Sequence, residues 1–249
     1  MKSLNGKVAI VTGGGGGIGK AISLLFAQEG AKILIADISL DAARRVARKV
    51  GRQTSRAVPL SVDVTKKDSV REMVAETLKL WRRIDILVNV VGGSFPKTLL
   101  DMEEADWDAV VDLNLKSVYS CCRAVLPAMV ERRYGKIVNF ASAQAFTGSE
   151  TRANYTAAKL GVVGLSKSLA LEVIRFGINV NVVAPGLVAT ERVRSRFSKR
   201  EWQDATFARP MGRAVSPEEI ARTVLFLVQD AQASITGQTI HVNGGAVLI

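Results

Sequence analysis

The chain alternates short, continuously apolar runs with longer amphipathic segments from one end to the other. The runs are rich in Val and Ile and do not alternate with polar residues, which is typical of strands covered on both faces. The predicted strands span residues 7–12, 32–36, 57–64, 85–89, 136–141, 179–183 and 238–242. Such strands, separated by helices, form a parallel sheet with helices on both faces. We therefore predict an α/β fold, doubly wound around a parallel sheet of about seven strands.

The segments between the strands carry apolar residues at helical spacing. The predicted helices span residues 17–29, 39–50, 66–81, 105–133, 152–175 and 217–228. A basic, irregular segment over residues 190–210 is expected to be a mobile lid, with Phe197, Trp202 and Phe207 as its covers. No linker or internal repeat interrupts the 249 residues, so we predict a single domain over residues 1–249.

The charge of the chain limits the classes of partner. Its 34 Lys and Arg residues outnumber its 23 Asp and Glu residues, which gives a formal net charge of +11. Solvated helix faces are one explanation, and attraction of anionic carrier proteins, coenzyme A thioesters or a dinucleotide is the other. We expect no nucleic-acid binding, because the sequence has no helix-turn-helix, zinc-finger or RNA-binding signature.

Cysteine usage and the apolar runs favour a cytoplasmic protein without membrane segments. Cys121 and Cys122 are adjacent, so they do not suggest a disulfide framework. The first residues contain no apolar signal segment, and the apolar runs are too short to span a bilayer. His241 is the only histidine and the carboxylates do not cluster, so we expect no metal site.

A glycine-rich loop lies between the first predicted strand and the first predicted helix. It reads TGGGGGIG over Thr12–Gly19. A loop without side chains lets the backbone approach a diphosphate, and the helix behind it offers N–H groups and a positive dipole end. Glycines in this strand-to-helix setting are much stronger evidence than glycines alone, so we predict a Rossmann-type dinucleotide site.

Asp37 ends the second predicted strand, eighteen residues after Gly19. A carboxylate there can accept hydrogen bonds from the ribose hydroxyls of NAD and repels the 2′-phosphate of NADP. Gly15 and Gly16 offer no basic side chain to such a phosphate. Both features favour NAD, although Asp37 could instead only assist the start of the next helix.

Tyr155 and Lys159 are four residues apart in a predicted helix and so lie on one face. Ser142 follows the fifth predicted strand. Hydride transfer to a carbonyl requires a proton donor, and the reverse reaction requires a base. An ammonium one turn away, together with a positive nicotinamide, is expected to lower the pKa of the Tyr155 phenol. Ser142 can donate a hydrogen bond to the same substrate oxygen.

Together these motifs resemble the short-chain dehydrogenase/reductase family over essentially the whole chain. TGGGGGIG matches the family's TGxxxGxG loop, and Ser142, Tyr155 and Lys159 match its S…YxxxK pattern. The resemblance implies that Asn114 completes a catalytic tetrad, that Asp63 and Val64 contact adenine, and that a segment from Pro185 to Thr190 holds the carboxamide. The residues expected to bind the dinucleotide are Gly13, Gly17, Ile18, Gly19, Asp37, Asp63, Val64, Asn89, Tyr155, Lys159, Pro185, Gly186, Val188 and Thr190.

The family pattern has one departure here and leaves the substrate open. Residues 89–92 read NVVG where the family shows NNAG, so Val90 and Val91 replace an amide and a methyl group. Such a change is expected to repack the sheet edge or the pocket floor without abolishing catalysis. We expect Ser142, Gln144 and Tyr155 to contact the substrate.

The resemblance implies a small-molecule alcohol or ketone substrate, with Tyr155 as general acid and base. The first hypothesis is an NAD(H)-dependent secondary-alcohol dehydrogenase, and the alternative is a 3-oxoacyl-acyl-carrier-protein (or CoA) reductase. The C-terminal sequence ITGQTIHVNGG resembles the subgroup that contains both. Arg132, Arg133 and Arg175 resemble positions that dock an acidic acyl carrier protein, although Arg132 and Arg133 equally suit a solvated helix end. Family members also suggest a homotetramer.

Overall fold

The computed structural model describes residues 2–51 and 56–249. Within that part of the chain, seven strands form one parallel sheet in the order β3-β2-β1-β4-β5-β6-β7. The strands are β1 (Val8–Thr12), β2 (Lys32–Asp37), β3 (Ala57–Ser61), β4 (Ile86–Asn89), β5 (Gly135–Phe140), β6 (Ile178–Pro185) and β7 (Thr239–Val242). The predicted parallel sheet is confirmed. The single domain predicted over residues 1–249 includes Met1 and residues 52–55, which lie outside the described residues.

Helices cover both faces of this sheet, as predicted. They are α1 (Gly17–Gln28), α2 (Leu40–Val50), α3 (Lys67–Trp81), α4 (Glu104–Val111), α5 (Ser117–Arg132), α6 (Gln144–Thr147), α7 (Ala153–Val173), α8 (Glu191–Arg194), α9 (Lys199–Phe207) and α10 (Pro217–Val228). Ser39 begins α2 with a side-chain hydrogen bond from the Ala42 N–H, and Ser216 begins α10 with a reciprocal bond to Glu219.

Two apolar layers sandwich the sheet, because alternate strand residues face opposite sides. Ile33 and Ile35 of β2 pack in the layer of α1, α2 and α10, whereas Leu34 packs in the layer of α3, α5 and α7. Every residue of β1, β4, β5 and β6 is buried, which explains the unbroken apolar runs in the sequence. Burial of such surface is the main favourable term in folding.

The helix predicted over residues 105–133 is interrupted by a π-helical turn at Asp112–Lys116. The side-chain amide of Asn114 donates to the carbonyl of Val110 at 2.9 Å, and the Ser117 hydroxyl donates to the carbonyl of Leu113 at 2.6 Å. These bonds compete with the helical backbone for its carbonyl groups. Asn114 is thereby fully buried beneath the carboxyl ends of the strands. A π-turn of this kind often marks a functional site.

Three local expectations were wrong. The basic segment at residues 190–210 is not irregular, because it contains α8 and α9. The short helix α6 begins two residues after Ser142, where no helix was predicted. The third strand stops at Ser61 instead of continuing to residue 64, because the carboxylate of Asp63 accepts bonds from the N–H and hydroxyl of Thr65 and forms a turn.

The strand order reverses between β1 and β4, which lie side by side at the centre of the sheet. In open sheets of this class, ligands bind beyond the carboxyl ends of the strands at such a switch point. The glycine loop, Gly92 and Ser142 follow β1, β4 and β5 at this edge. No helix in the described residues is long and apolar enough to cross a membrane.

Candidate active site

The glycine loop is folded back tightly on itself between β1 and α1. The Gly14 N–H donates to the carbonyl of Ala36 at 3.1 Å, which ties the loop to the end of β2. A side chain at Gly19 would overlap the carbonyl oxygen of Gly13. Gly16 caps α1 without any side-chain hydrogen bond, and the first turn of α1 contains no acidic residue. The loop therefore fits an anionic diphosphate at the positive end of the helix.

Asp37 holds the neighbouring edge of this loop. One of its carboxylate oxygens accepts the Gly15 N–H at 2.9 Å, and the other accepts the Ser39 N–H at 3.0 Å. Ser39, not Asp37, provides the side-chain cap of α2. Asp37 thus joins the glycine loop to the end of β2, where the adenosine ribose of a dinucleotide would lie.

Asp63 and Val64 lie in the turn after β3. Hydrogen bonds from Thr65 hold the pKa of the Asp63 carboxyl below its ordinary value. Val64 is buried in the layer of α3, α5 and α7. Asp63 and Val64 therefore follow β3, and β3 lies next to β2, the strand that ends at Asp37.

The side chain of Asn89, which was predicted to contact the cofactor, is buried and bonds other side chains in the core. Its amide donates to the side-chain oxygen of Asn139 at 2.9 Å, and the Asn139 amide donates to the Ser166 hydroxyl at 2.9 Å. All three side chains are buried, so they connect β4, β5 and α7 beneath the site. Sequence reasoning missed Asn139 and Ser166, although a polar residue within the apolar KIVNFA run was a signal for Asn139.

The NVVG departure is accommodated by packing. Val90 and Val91 pack against the apolar layers on opposite sides of the sheet. The Val90 N–H donates to the Thr12 hydroxyl at 3.2 Å, so β1 and β4 remain joined by a hydrogen bond without an asparagine side chain at position 90. A side-chain carbon added to Gly13 would lie 3.3 Å from the side chain of Val91. The two valines therefore pack against the apolar layers, and the carboxyl ends of β1 and β4 stay hydrogen-bonded to each other.

The segment after β6 lies against the glycine loop. Gly186 must lack a side chain because one would lie 2.9 Å from the backbone of Asn243. Val188 is buried and bridges to Val215, and Thr190 caps α8 through the Val193 N–H. A side-chain carbon added to Gly17 would lie 3.1 Å from the Thr190 methyl group. This proximity brings the predicted carboxamide segment and the predicted diphosphate loop together.

The buried ends of Asn114 and Lys159 meet around Gly92. A side chain on Gly92 would lie 2.7 Å from the Asn114 side-chain oxygen and 2.9 Å from the Lys159 ammonium nitrogen. The Lys159 ammonium donates to the carbonyl of Phe140 at 2.8 Å. Asn114 is fixed by two bonds with Gly93, in which its oxygen accepts the N–H and its amide donates to the carbonyl.

Tyr155 and Ser142 complete the set on the open side. The Lys159 ammonium lies 5.8 Å from the centre of the Tyr155 ring. Ser142 lies close enough to the Tyr155 phenol to lower its pKa, and the Ser142 oxygen accepts the Gln144 N–H at 3.3 Å. The structure therefore brings Asn114, Ser142, Tyr155 and Lys159 together at the carboxyl ends of β4 and β5, although they come from three separate segments.

The pKa of Tyr155 is shifted in the direction opposite to the one expected from its neighbours. Burial raises the pKa of the phenol, and the nearby Ser142 hydroxyl and the charges of Arg152 and Arg192 only partly oppose this. Lys159 does not offset it, because burial lowers the pKa of its own ammonium to about 7. The residue pattern suggested attraction between the two groups and did not show how deeply both are buried.

Lys159 should make folding stability depend on pH. Between about pH 7 and 10.5 the unfolded chain keeps the lysine proton and the folded chain releases it, so stability rises with pH. One such proton contributes at most ~1.4 kcal/mol per pH unit. We expect the free energy of unfolding of the natural protein to rise relative to that of Lys159→Met between pH 7 and pH 9. Urea unfolding of both proteins without dinucleotide would measure this. Lys167→Met on the exposed side of α7 is the control, and an unchanged difference for Lys159→Met would contradict the burial argument.

The predicted substrate side is bordered by polar and aromatic groups. The Gln144 side-chain oxygen accepts a bond from Arg152 at 3.1 Å, so this residue is fixed instead of facing open solvent. Phe197 and Trp202 of the predicted lid pack edge to face with ring centres 5.7 Å apart, whereas Phe207 is 84% exposed. His241 packs against Phe146, and no group of three or more metal-binding side chains occurs in the described residues.

Comparisons with known proteins agree with this geometry. Residues 13–247 match a short-chain dehydrogenase family model described as enoyl-(acyl carrier protein) reductase. The chain is 38% identical to the 3-oxoacyl-acyl-carrier-protein reductase FabG of Thermotoga maritima over 98% of its own length and 99% of the relative's. It is 41% identical to FabG of Chlamydia trachomatis over 96% of both chains. It is also 38% identical to BbsD of Thauera aromatica, a subunit of a hydroxy(phenyl)methyl-succinyl-CoA dehydrogenase, over 98% of both chains. The chain therefore belongs to the short-chain dehydrogenase/reductase family, a family of oxidoreductases that use a nicotinamide cofactor.

Proposed function

We propose that this protein reduces the 3-oxo group of acyl thioesters to a secondary alcohol, with NADH as the preferred reductant. The observation that carries the reaction type is the convergence of Ser142, Tyr155 and Lys159 beside the glycine loop. The thioester class is supported by relatives named for 3-oxoacyl-carrier-protein and acyl-CoA chemistry. These relatives favour a 3-oxoacyl thioester reductase over a general secondary-alcohol dehydrogenase.

The residues of the chain hold the reacting carbonyl and supply its proton. A bound nicotinamide dinucleotide supplies the hydride. Ser142 and the Tyr155 hydroxyl donate hydrogen bonds to the substrate oxygen as it gains negative charge, and Tyr155 then transfers its proton to that oxygen. Burial favours the neutral phenol, which is the form that donates a proton.

Lys159 and Asn114 act behind Tyr155. Because the pKa of Lys159 is about 7, its amine can hold or release a proton near neutral pH and so replenish the phenol. The Phe140 carbonyl fixes the amine at 2.8 Å, and the bonds between Asn114 and Gly93 fix the facing amide. The π-helical turn places this amide next to the amine, which supports its role in the proton path.

NADH preference rests on Asp37. Its carboxylate stands at the end of β2, held by the N–H groups of Gly15 and Ser39. A fixed negative charge at this place accepts hydrogen bonds from ribose hydroxyls and repels a 2′-phosphate. The space beside Gly15 is also filled, since a side chain there would lie 2.8 Å from Asp37.

An acidic acyl carrier protein fits the basic end of α5 and the turn after α7. Arg133 donates to the carbonyl of Arg175 at 2.8 Å, and both guanidinium groups lie over the ring of Phe176, at 6.0 and 4.9 Å from its centre. Two cations held side by side on one exposed surface attract an acidic partner. This placement supports the thioester carrier as a partner.

An assembly of four copies is part of the proposal, through α5 and α7. Tyr119 on α5 and Leu160 and Leu171 on α7 expose apolar surface to solvent. Apolar side chains on neighbouring exposed helix faces suit contacts between copies.

The proposed function predicts a specific substrate and cofactor preference. The N-acetylcysteamine thioester of acetoacetate should be reduced with a kcat/KM at least about tenfold above that of butan-2-one, and NADH should exceed NADPH. Asp37→Asn should lower the NADH-to-NADPH ratio of kcat/KM about tenfold, the size of one ~1.4 kcal/mol charge repulsion across a partly solvated gap.

Asp41→Asn is the matched control, because it removes the same charge from the exposed start of α2. Equal turnover of butan-2-one would favour the general alcohol dehydrogenase. A natural protein that prefers NADPH would refute the role of Asp37.

A further inference from the structure

We infer that Arg152 and Arg192 form an anion site beside Tyr155 that selects acyl substrates carrying a carboxylate beyond the reacting carbonyl. This inference rests on the proposed function, since it concerns the substrate of the same site. It names a feature of the acyl part, whereas the proposed function specifies only the 3-oxo thioester.

Arg152 is held next to two of the residues expected to contact the substrate, Gln144 and Tyr155. It stands immediately before α7, three residues before Tyr155, and donates one hydrogen bond to the Gln144 side chain at 3.1 Å. Gln144 in turn contacts Ser142 through its backbone N–H. Arg152 is therefore linked through a single residue to the hydroxyl that binds the reacting oxygen.

Arg192 reaches the same region from the opposite loop. It lies on α8, after β6, and donates to the carbonyl of Gly92 at 3.2 Å. A side-chain carbon added to Gly93 would lie 3.2 Å from the Arg192 guanidinium. The neighbouring residue, Gly92, is the one around which Asn114 and Lys159 meet. The two guanidinium groups thus come from different elements, and the charges of both act on the Tyr155 phenol.

Neither arginine has the partner that fixed arginines have elsewhere in this protein. Arg83 and Arg213 each make paired bonds to a carboxylate, Asp85 and Glu219 respectively. Among the described residues, Arg152 and Arg192 form no ion pair, and each makes one hydrogen bond to a neutral oxygen. A guanidinium has five donors arranged to match a carboxylate, so most of their binding capacity is open to a ligand.

The position of Arg152 also argues against a purely structural role. The positive end of a helix dipole disfavours a cation, and acidic residues are preferred there. Helices α2, α4 and α10 follow this rule with Asp or Glu in the first turn, whereas α7 has none and is preceded by Arg152. An arginine and a helix N-terminus that both lack a negative charge are complementary to an anionic ligand.

The test compares two substrates that differ by one negative charge and one methyl group. These are the N-acetylcysteamine thioester of 3-oxoadipate and the methyl ester of the same compound, each reduced with NADH. The natural protein should prefer the carboxylate form by about 10- to 30-fold in kcat/KM, which corresponds to one charge-assisted pair of hydrogen bonds. Raising the salt concentration should reduce this preference.

Arg152→Gln and Arg192→Gln should each lower the charged-to-neutral ratio of kcat/KM several-fold, and the double variant should bring it close to one. Arg194→Gln, which removes the same charge two residues along α8 beside Trp202, should keep the ratio of the natural protein. A preserved ratio in the double variant would overturn the inference.

Three further outcomes separate this inference from the proposed function. If the natural protein reduces both thioesters equally well, the proposed function stands and the anion site is wrong. If it reduces neither, both are wrong. If the arginine variants raise KM for NADH equally with both thioesters and leave their ratio unchanged, the arginines serve the dinucleotide phosphates, and the inference is again overturned.

Discussion

Tyr155→Phe should lower kcat/KM by about three to four orders of magnitude while the protein still binds NADH. The substitution removes only the hydroxyl, which is the group proposed to donate a proton to the substrate oxygen and which lies near Ser142. General acid catalysis by one positioned group contributes about 10²- to 10⁴-fold, and Ser142 cannot replace it because a serine hydroxyl is a much weaker acid. The ring and its distance from Lys159 are unchanged, so the pocket keeps its shape.

The chain contains a matched control for this prediction. Tyr134 donates its hydroxyl to Asp230 at 2.7 Å, next to Lys7 near the start of β1 and far from the carboxyl ends of the strands. Tyr134→Phe removes the same atom and should cost about 1 kcal/mol of stability with little change in turnover. Steady-state kinetics, NADH fluorescence titration and urea unfolding on both variants would check this. Near-normal turnover by Tyr155→Phe would overturn the proposed proton donor.

Most of the fold was predictable because the central strands are covered on both faces. The buried strand Val8–Thr12 contains an almost continuous apolar run. Gly30 and Gly51 lie within two residues of the ends of α1 and α2 and are helix-stop signals. The glycine loop and the pair Tyr155 and Lys159 were predictable for a related reason. Their geometry depends on local spacing, which a sequence states directly.

Other parts of the site depend on contacts between distant segments and could not be read from spacing. In the π-helical turn the Asn114 side chain bonds the Val110 carbonyl, and the helical periodicity of residues 105–133 does not reveal this bond. The partner of Asn89 lies fifty residues away at Asn139. Arg152 and Arg192 are forty residues apart and were two basic residues among 34 in the sequence, until the fold brought both near Tyr155.

The pKa of Tyr155 shows the same limit for electrostatics. The four-residue spacing to Lys159 correctly indicated proximity, and proximity to a cation would lower the pKa of a phenol. The sign of the shift is decided instead by burial, which also removes much of the charge of Lys159 near neutral pH. Burial depends on the packing of α6, α7 and the loops around them, and spacing alone contains no measure of it.

Gly19→Ala should weaken binding of NADH by about 100-fold or more. Its new methyl group would overlap the carbonyl oxygen of Gly13, a backbone atom that cannot rotate away as a side chain can. The loop would have to open, which moves the N–H groups at the start of α1 away from the place of the diphosphate. Overpacking against fixed atoms costs about 1–3 kcal/mol, and the displaced hydrogen bonds add to that loss.

Gly16→Ala tests whether this effect is steric, because it adds the same methyl group to the same loop. Gly16 has an extended backbone, and nothing lies within 4 Å of its side-chain position. Binding of NADH, measured by fluorescence titration, should therefore change only a few-fold in Gly16→Ala, and urea unfolding of both variants shows whether the fold is retained. Equal losses of affinity in the two variants would mean that any side chain blocks the loop. A folded Gly19→Ala with normal affinity would mean that the diphosphate does not lie at the start of α1, and the dinucleotide site would have to be sought elsewhere.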